Sequence, residues 1–251
     1  MTAFYLPLGD GRFAPTRATE SPWDTAMQHG GPPAALLAHL MAPGGGLRLA
    51  RIAVDFLGPI PRREFTVEVS PVKPGRLTSL AEARMTVDGR TAVVARGWHI
   101  AAGPRPPVVT PPEPVEVAGE PDPAMSGWGY GEAIEWRFTE GDFGHPAGAA
   151  TAWTRVRGPL IDGEELTGTA RALIVADSAN GLSAALPMDQ WLSVPPAMTT
   201  TLLRPAEGEW VRLSCRTELT GDGLGLAHGE LHDTGGRLGV VTQPLLVRPR
   251  R

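Results

Sequence analysis

Asp177 stands where a carboxylate is unexpected. It follows Ala172-Leu173-Ile174-Val175-Ala176 inside a small-residue-rich apolar segment that opens at Thr169. A buried carboxylate is costly unless it is paired or hydrogen-bonded. Desolvation also raises its pKa, toward the range useful to a general base. The plainer reading is a helix aspartate that faces solvent or caps a neighbouring segment. A second group of residues, His29-Gly30-Gly31, precedes Pro32-Pro33 and the apolar run Ala34–Leu40. Glycines let a substrate carbonyl approach the backbone, and N–H groups at a helix start are ready donors to a developing oxyanion. Gly31 is the favoured donor. The glycines could equally serve only a tight entry turn, and His29 could act as a base or simply hydrogen-bond at the helix start. Asp24, one residue after Trp23, either lines the same entrance or caps a turn.

The elements that must position these residues come in two similar sets. Segments 52–57, 64–72, 78–87 and 91–100 are rich in Val, Ile, Thr or aromatics and are separated by Gly-Pro, Pro-Gly and Asp-Gly. They read as an antiparallel meander, and segments 199–204, 209–219, 224–232 and 237–247 repeat the pattern. Pro59 matches Pro205 (205 − 59 = 146) and Gly89 matches Gly236 (236 − 89 = 147). One helix precedes each meander, Pro33 to about Met41 and about Thr169 to Ser183. Both are apolar nearly all round, so both should be buried on most sides. Residues 103–127 are too proline-rich for regular structure and read as a surface linker. The expected division is 1–102, linker 103–127, and 128–251, with strands at 135–138 and 152–158 leading into the second helix. Strands grouped with one helix in each half make an α+β layout rather than alternating βαβ units. Aligning Gln243 with Arg96 (243 − 96 = 147), and Asp177 with Ala38, leaves the first half without this pair. Two equivalent clefts are expected, one polar and one degenerate.

Composition narrows the classes of function. The chain has 251 residues, 42% hydrophobic and 20% charged, with a formal net charge of −4. That charge gives no electrostatic case for nucleic acid or an anionic membrane as partner. No apolar run approaches the roughly 20 residues that span a bilayer, and the start MTAFYLPLGDGRF lacks a signal-peptide pattern. The single cysteine, Cys215, excludes an intrachain disulfide and fits a reducing cytoplasm. His228 and His232 have no third ligand nearby in sequence, Gly221–Gly225 joins two strands, and no Gly-x-Ser-x-Gly elbow occurs. No metal or other cofactor is expected.

SPWDTAMQHGGPPAALLAHL, VDFLGPIP, GEW at 208–210 and the closing GRLGVVTQPLLV resemble the acyl-CoA thioesterase II group, the TesB-like proteins. The resemblance runs from about Pro22 to Val247. It implies a double hotdog, in which two halves pack side by side and a curved antiparallel sheet wraps two helices. The activity implied is hydrolysis of an acyl-CoA, or another acyl thioester, to a free acid and the thiol. It also implies an aspartate, a glutamine and a hydroxyl that activate water: Asp177, Gln243 and Thr199. Counting back from Arg204-Pro205 puts Pro195 at the hydroxyl's place, so Thr199 is the nearest substitute, with Thr200 next to it in the substrate site. His29, Gly30 and Gly31 complete the substrate-binding set. A neutral amide such as Gln243 can hold water and a carboxylate together, although an isolated strand glutamine commonly faces solvent. Two other readings fit these residues. One is a hotdog dehydratase or hydratase with His29 and Asp177 as proton-transfer pair; the other is a non-catalytic binder of acyl-CoA or a hydrophobic ligand. Exposed sheet edges and faces favour a homo-oligomer.

Overall fold

The computed structural model describes residues 2–250. In the first half, β1 (Tyr5–Gly9) and β2 (Arg12–Pro15) precede the helix α1 (Gly31–Leu40). The strands β3 (Leu47–Phe56), β4 (Phe65–Lys73), β5 (Thr78–Val87) and β6 (Arg90–Ala101) follow. In the second half, a short α2 (Gly129–Ala133), β7 (Ile134–Glu140) and β8 (Ala149–Val156) lead into α3 (Gly168–Ala176) and α4 (Ala179–Leu182). The chain closes with β9 (Trp191–Val194), β10 (Ala197–Leu202), β11 (Trp210–Leu219), β12 (Leu224–Asp233) and β13 (Gly236–Pro249).

The strands form because apolar residues alternate with polar ones at the two-residue period of a half-buried strand. In β11, for instance, Val211, Leu213 and Cys215 are buried while the residues between them are more exposed. All thirteen strands join one antiparallel sheet, in the order β1-β2-β4-β5-β6-β3-β10-β13-β12-β11-β8-β7, with β9 added on β13. The two halves meet where β3 pairs with β10, Thr199 opposite Ala53. This is the α+β double hotdog. α1 and α3 pack against each other inside the curve, and Leu36, Leu37, Leu173 and Ile174 are fully buried there. Each such side chain contributes roughly 1.5–3 kcal/mol by leaving water. A Cβ on Gly31 would lie 2.1 Å from the Ile174 carbonyl oxygen, so the helices touch backbone to backbone.

Several details differ from the sequence expectations. The second helix is not continuous from 169 to 183: α3 ends at Ala176, and the turn tightens with the Ser178 N–H on the Val175 carbonyl before α4 resumes. Asp177 is the C-cap at this break. β1 and β2 were hidden by Gly and Pro, which are tolerated at a sheet edge. The linker is mostly exposed, but its end forms a single 3₁₀ turn at Pro123–Met125 that buries Met125. The N-terminal segment also crosses to the second half, with the Phe4 N–H on the Pro159 carbonyl. The repeat register is corrected as well. Met85 pairs with Val93 and Leu231 with Gly239, a constant offset (231 − 85 = 146; 239 − 93 = 146). Gln243 therefore corresponds to Gly97, not Arg96. Arg96 points outward, 58% exposed, and donates to Glu82.

Candidate active site

Two backbone features bring the site together. The break after α3 presents Asp177 toward the start of α1, and β13 passes beside it carrying Gln243. Asp177 is 9% exposed and Gln243 is fully buried. Gln243 Nε2 donates to Asp177 Oδ1 at 2.9 Å. Gln243 Oε1 accepts the Asn180 N–H at 3.0 Å, which fixes the amide with its NH₂ toward the carboxylate. The backbone N–H groups of Gly30 and Gly31 face the Asp177 carboxylate and favour its charged form. A Cβ on Gly30 would sit 2.8 Å from Asp177 Oδ2 and 2.8 Å from Phe56, so only glycine leaves this space open.

His29 completes the junction. Its Nδ1 lies 3.2 Å from Asp177 Oδ2 and accepts the Gly31 N–H at 3.2 Å. The imidazole stacks on Tyr130 with centroids 3.9 Å apart. The Tyr130 hydroxyl in turn donates to the Ile174 carbonyl at 2.7 Å and lies 2.8 Å from Ser178 Oγ. Burial sets the charges. Desolvation lifts the Asp177 pKa to about 7, against the pull of Gly30, Gln243 and Gly31, and lowers that of His29 to about 3. Near neutral pH the imidazole is uncharged and the carboxyl group is poised between its two forms.

Asp177, His29 and Gly30 line a cavity of about 510 Å³ between the halves. Its walls include Phe56, Trp128, Tyr130, Trp136 and Phe143, and its rim includes Trp23, Asp24 and Arg250. Asp24 caps a turn, Oδ1 accepting the Ala26 N–H, while also lining the rim.

The hydroxyls expected from the sequence lie elsewhere. Thr199 is on the outward face of β10. Thr200 points inward and is fully buried, but it sits opposite Val241, lines no part of the cavity, and its Oγ1 has no hydrogen-bond partner among the described residues. The hydroxyls at the cavity are Ser178 and Ser193. Ser193 Oγ donates to Asn180 Oδ1 at 3.1 Å, and Asn180 Nδ2 donates back to the Ser193 carbonyl at 2.9 Å. Sequence reasoning missed Ser193, Asn180 and Tyr130. The available signal was Ser193's place two residues before Pro195, but β9 is only four residues long. Among the described residues, no group of three or more His, Cys, Asp or Glu could hold a metal ion, and no helix is long and apolar enough to cross a membrane.

No curated protein matches the chain by sequence. In structure it is similar to a hotdog-fold protein of Alicyclobacillus acidocaldarius, with TM-score 0.71, 16% identity, and 98% of this chain and 95% of that one covered. It is similar to the TesB protein of Mycobacterium avium subspecies paratuberculosis at TM-score 0.70 and 19% identity, covering 98% and 96%. The acyl-CoA thioesterase II TesB2 of Mycobacterium marinum gives 0.69 and 14%, covering 98% and 95%. These identities establish the fold alone. The sequence itself matches two family descriptions: "Acyl-CoA thioesterase N-terminal domain" over residues 19–100 and "Acyl-CoA thioesterase C-terminal domain" over 111–247. The second takes in Asp177, Ser193 and Gln243, and the first His29, Gly30 and Gly31. With both matched regions contributing to one cavity, the chain belongs to the acyl-CoA thioesterase family and is a thioester hydrolase.

Proposed function

We propose that Asp177 activates water to hydrolyse an acyl-CoA to its free acid and coenzyme A. The observation that carries this reading is the Asp177 carboxylate held between Gln243 Nε2, at 2.9 Å, and the start of α1, open to an apolar cavity. A water beside Asp177 gives up a proton to the carboxylate as its oxygen attacks the thioester carbon. The carbonyl oxygen becomes an oxyanion, and the positive end of the α1 dipole stabilises it, the Gly31 N–H exchanging its His29 Nδ1 partner for the new charge. The tetrahedral intermediate then collapses: the C–S bond breaks, and the departing sulfur takes the proton from Asp177. Ser193, fixed by Asn180, supplies the hydroxyl nearest in kind to the one expected at Thr199. His29, neutral and stacked on Tyr130, holds the geometry of the Gly30-Gly31 turn.

In the same reading the halves divide at 1–102 and 128–251. The protein works in a reducing cytoplasm and assembles as a homo-oligomer through outward leucines such as Leu224, Leu226 and Leu246, which are 58%, 42% and 44% exposed. The test is release of free thiol from acyl-CoAs of several chain lengths. Hydrolysis is expected with the native chain and a loss of about 10²–10⁴-fold with Asp177→Ala, the range for removing a general base. Undiminished thiol release by that variant refutes the role given to Asp177. An enoyl product without thiol would instead point to a dehydratase, and binding without turnover to a ligand carrier.

A further inference from the structure

The cavity has a polarity that the catalytic residues do not explain. Arg250 is the one cation among the residues that line it, and it stands at the rim beside Trp23, its guanidinium 5.9 Å from the indole centroid. Three bonds fix it there. Its N–H donates to the Gln190 carbonyl at 2.8 Å. Its Nε donates to the Met188 carbonyl at 2.8 Å and reaches the Trp191 carbonyl at 3.3 Å. All three anchors are backbone oxygens at the start of β9 or in the segment that leads into it. Among the described residues the two Nη nitrogens have no hydrogen-bond partner, so the planar end of the guanidinium is left for an incoming group. Trp23 is 45% exposed and gives a flat apolar surface next to it. The opposing charge at the rim is Asp24, whose Oδ1 is already occupied by the Ala26 N–H. The aromatic part of the lining, Trp128, Trp136 and Phe143 with Met125, carries no charged side chain and clusters around Tyr130 and His29.

We propose that Arg250 and Trp23 form the receptor for the phosphate-bearing arm of the thiol carrier, so that the acyl group enters toward the aromatic part of the lining. The proposal rests on the reading that this cavity holds an acyl thioester. A guanidinium with free Nη groups suits a phosphate, which it can grip through two parallel N–H bonds. A preset guanidinium loses little freedom when it binds, so most of the charge-assisted attraction is realised. The same chemistry serves coenzyme A and a carrier protein's phosphopantetheine, since both place a phosphate on the pantetheine arm.

The test is equilibrium binding without turnover, by calorimetry, of pantetheine, 4′-phosphopantetheine and coenzyme A to the full chain. The native protein is expected to bind coenzyme A on the order of tenfold to a hundredfold more tightly than pantetheine, the range for a charge-assisted pair. Arg250→Gln is expected to cut that discrimination about tenfold or more, while Arg250→Lys, which keeps the charge but not the paired N–H groups, retains only part of it. If 4′-phosphopantetheine already shows the whole gain, the proximal phosphate is the one recognised and a carrier protein is admitted. If only coenzyme A shows it, the distal phosphates are recognised; either outcome supports the receptor. An unchanged coenzyme A to pantetheine ratio in Arg250→Gln overturns the proposal. So does an equal loss of pantetheine and coenzyme A in both variants, since Arg250 would then only be bracing the rim. Failure of hydrolysis alone would sink the catalytic reading and leave these binding ratios standing.

Discussion

Replacing Asp177 by Asn should make the protein more stable and about 10²–10⁴-fold less active, with the stability gain growing with pH. The carboxyl pKa is 3.8 when unperturbed and about 7 in the fold, where desolvation disfavours the charged form. The folded chain therefore holds a proton that the unfolded chain has released between these two values. Stability contributed by this group is complete below pH 3.8 and declines as pH rises, by about 1.4 kcal/mol per pH unit, until about pH 7. Above that, the ionised carboxylate costs about 4 kcal/mol relative to a group with no shift. Asn cannot ionise, so the difference between variant and native protein isolates this term. Its amide can keep the Gln243 bond through Oδ1, and the altered contacts with Gly30 and Gly31 add only a pH-independent offset. For a chain of this size each kcal/mol moves Tm by about 2–4 °C. The Tm difference should thus widen by about 8–16 °C between pH 4 and pH 8. Thermal melts across that range provide the measurement, with thiol release on the same samples. A Tm difference that stays flat with pH would refute the claim that Asp177 is desolvated in the fold.

Three further outcomes follow from the same geometry. On the proposed role of Asp177 as general base, kcat/KM for acyl-CoA hydrolysis should rise as pH passes through about 7. His29, neutral above about pH 3, should add no second limb between pH 5 and 9, as steady-state profiles would show. Gln243→Ala removes the donor to Asp177 and the acceptor for Asn180, leaving buried groups unpaired. It should cost about 1–3 kcal/mol in urea unfolding, with kcat lowered in parallel. The two glycines should separate in a melt-plus-activity assay. Gly31→Ala forces a methyl to 2.1 Å from a helix backbone oxygen and should destabilise by about 1–3 kcal/mol or more. Gly30→Ala meets only the tips of Asp177 and Phe56, and should cost activity more than stability.

The local order of this chain decided a great deal by itself. Alternating Val, Ile and Thr between Asp-Gly and Gly-Pro turns can only lie as half-buried strands, and two runs of Ala and Leu too apolar for solvent must be wrapped by them. That repetition, with one carboxylate in one copy, was enough to single out Asp177 and the His29-Gly30-Gly31 turn. What alternation cannot carry is absolute register. A slip of one residue reverses the face of a strand, which is why Arg96 appeared to match Gln243 although Gly97 does. The same limit displaced the hydroxyl: Thr199 and Thr200 have the right chemistry, but one faces outward and the other lies opposite Val241, away from the cavity. Ser193 reaches the cavity because the four-residue β9 pairs with β13 and is tied to Asn180. Tyr130 and Trp128 reach it because the end of a proline-rich linker folds inward at Met125. Those placements rest on contacts between segments remote in sequence, whose partners no local pattern names. Asp177, Gln243 and the His29-Gly30-Gly31 turn were therefore legible in the chain as candidates, while the pKa of Asp177 arose only when the tertiary structure closed water away from it.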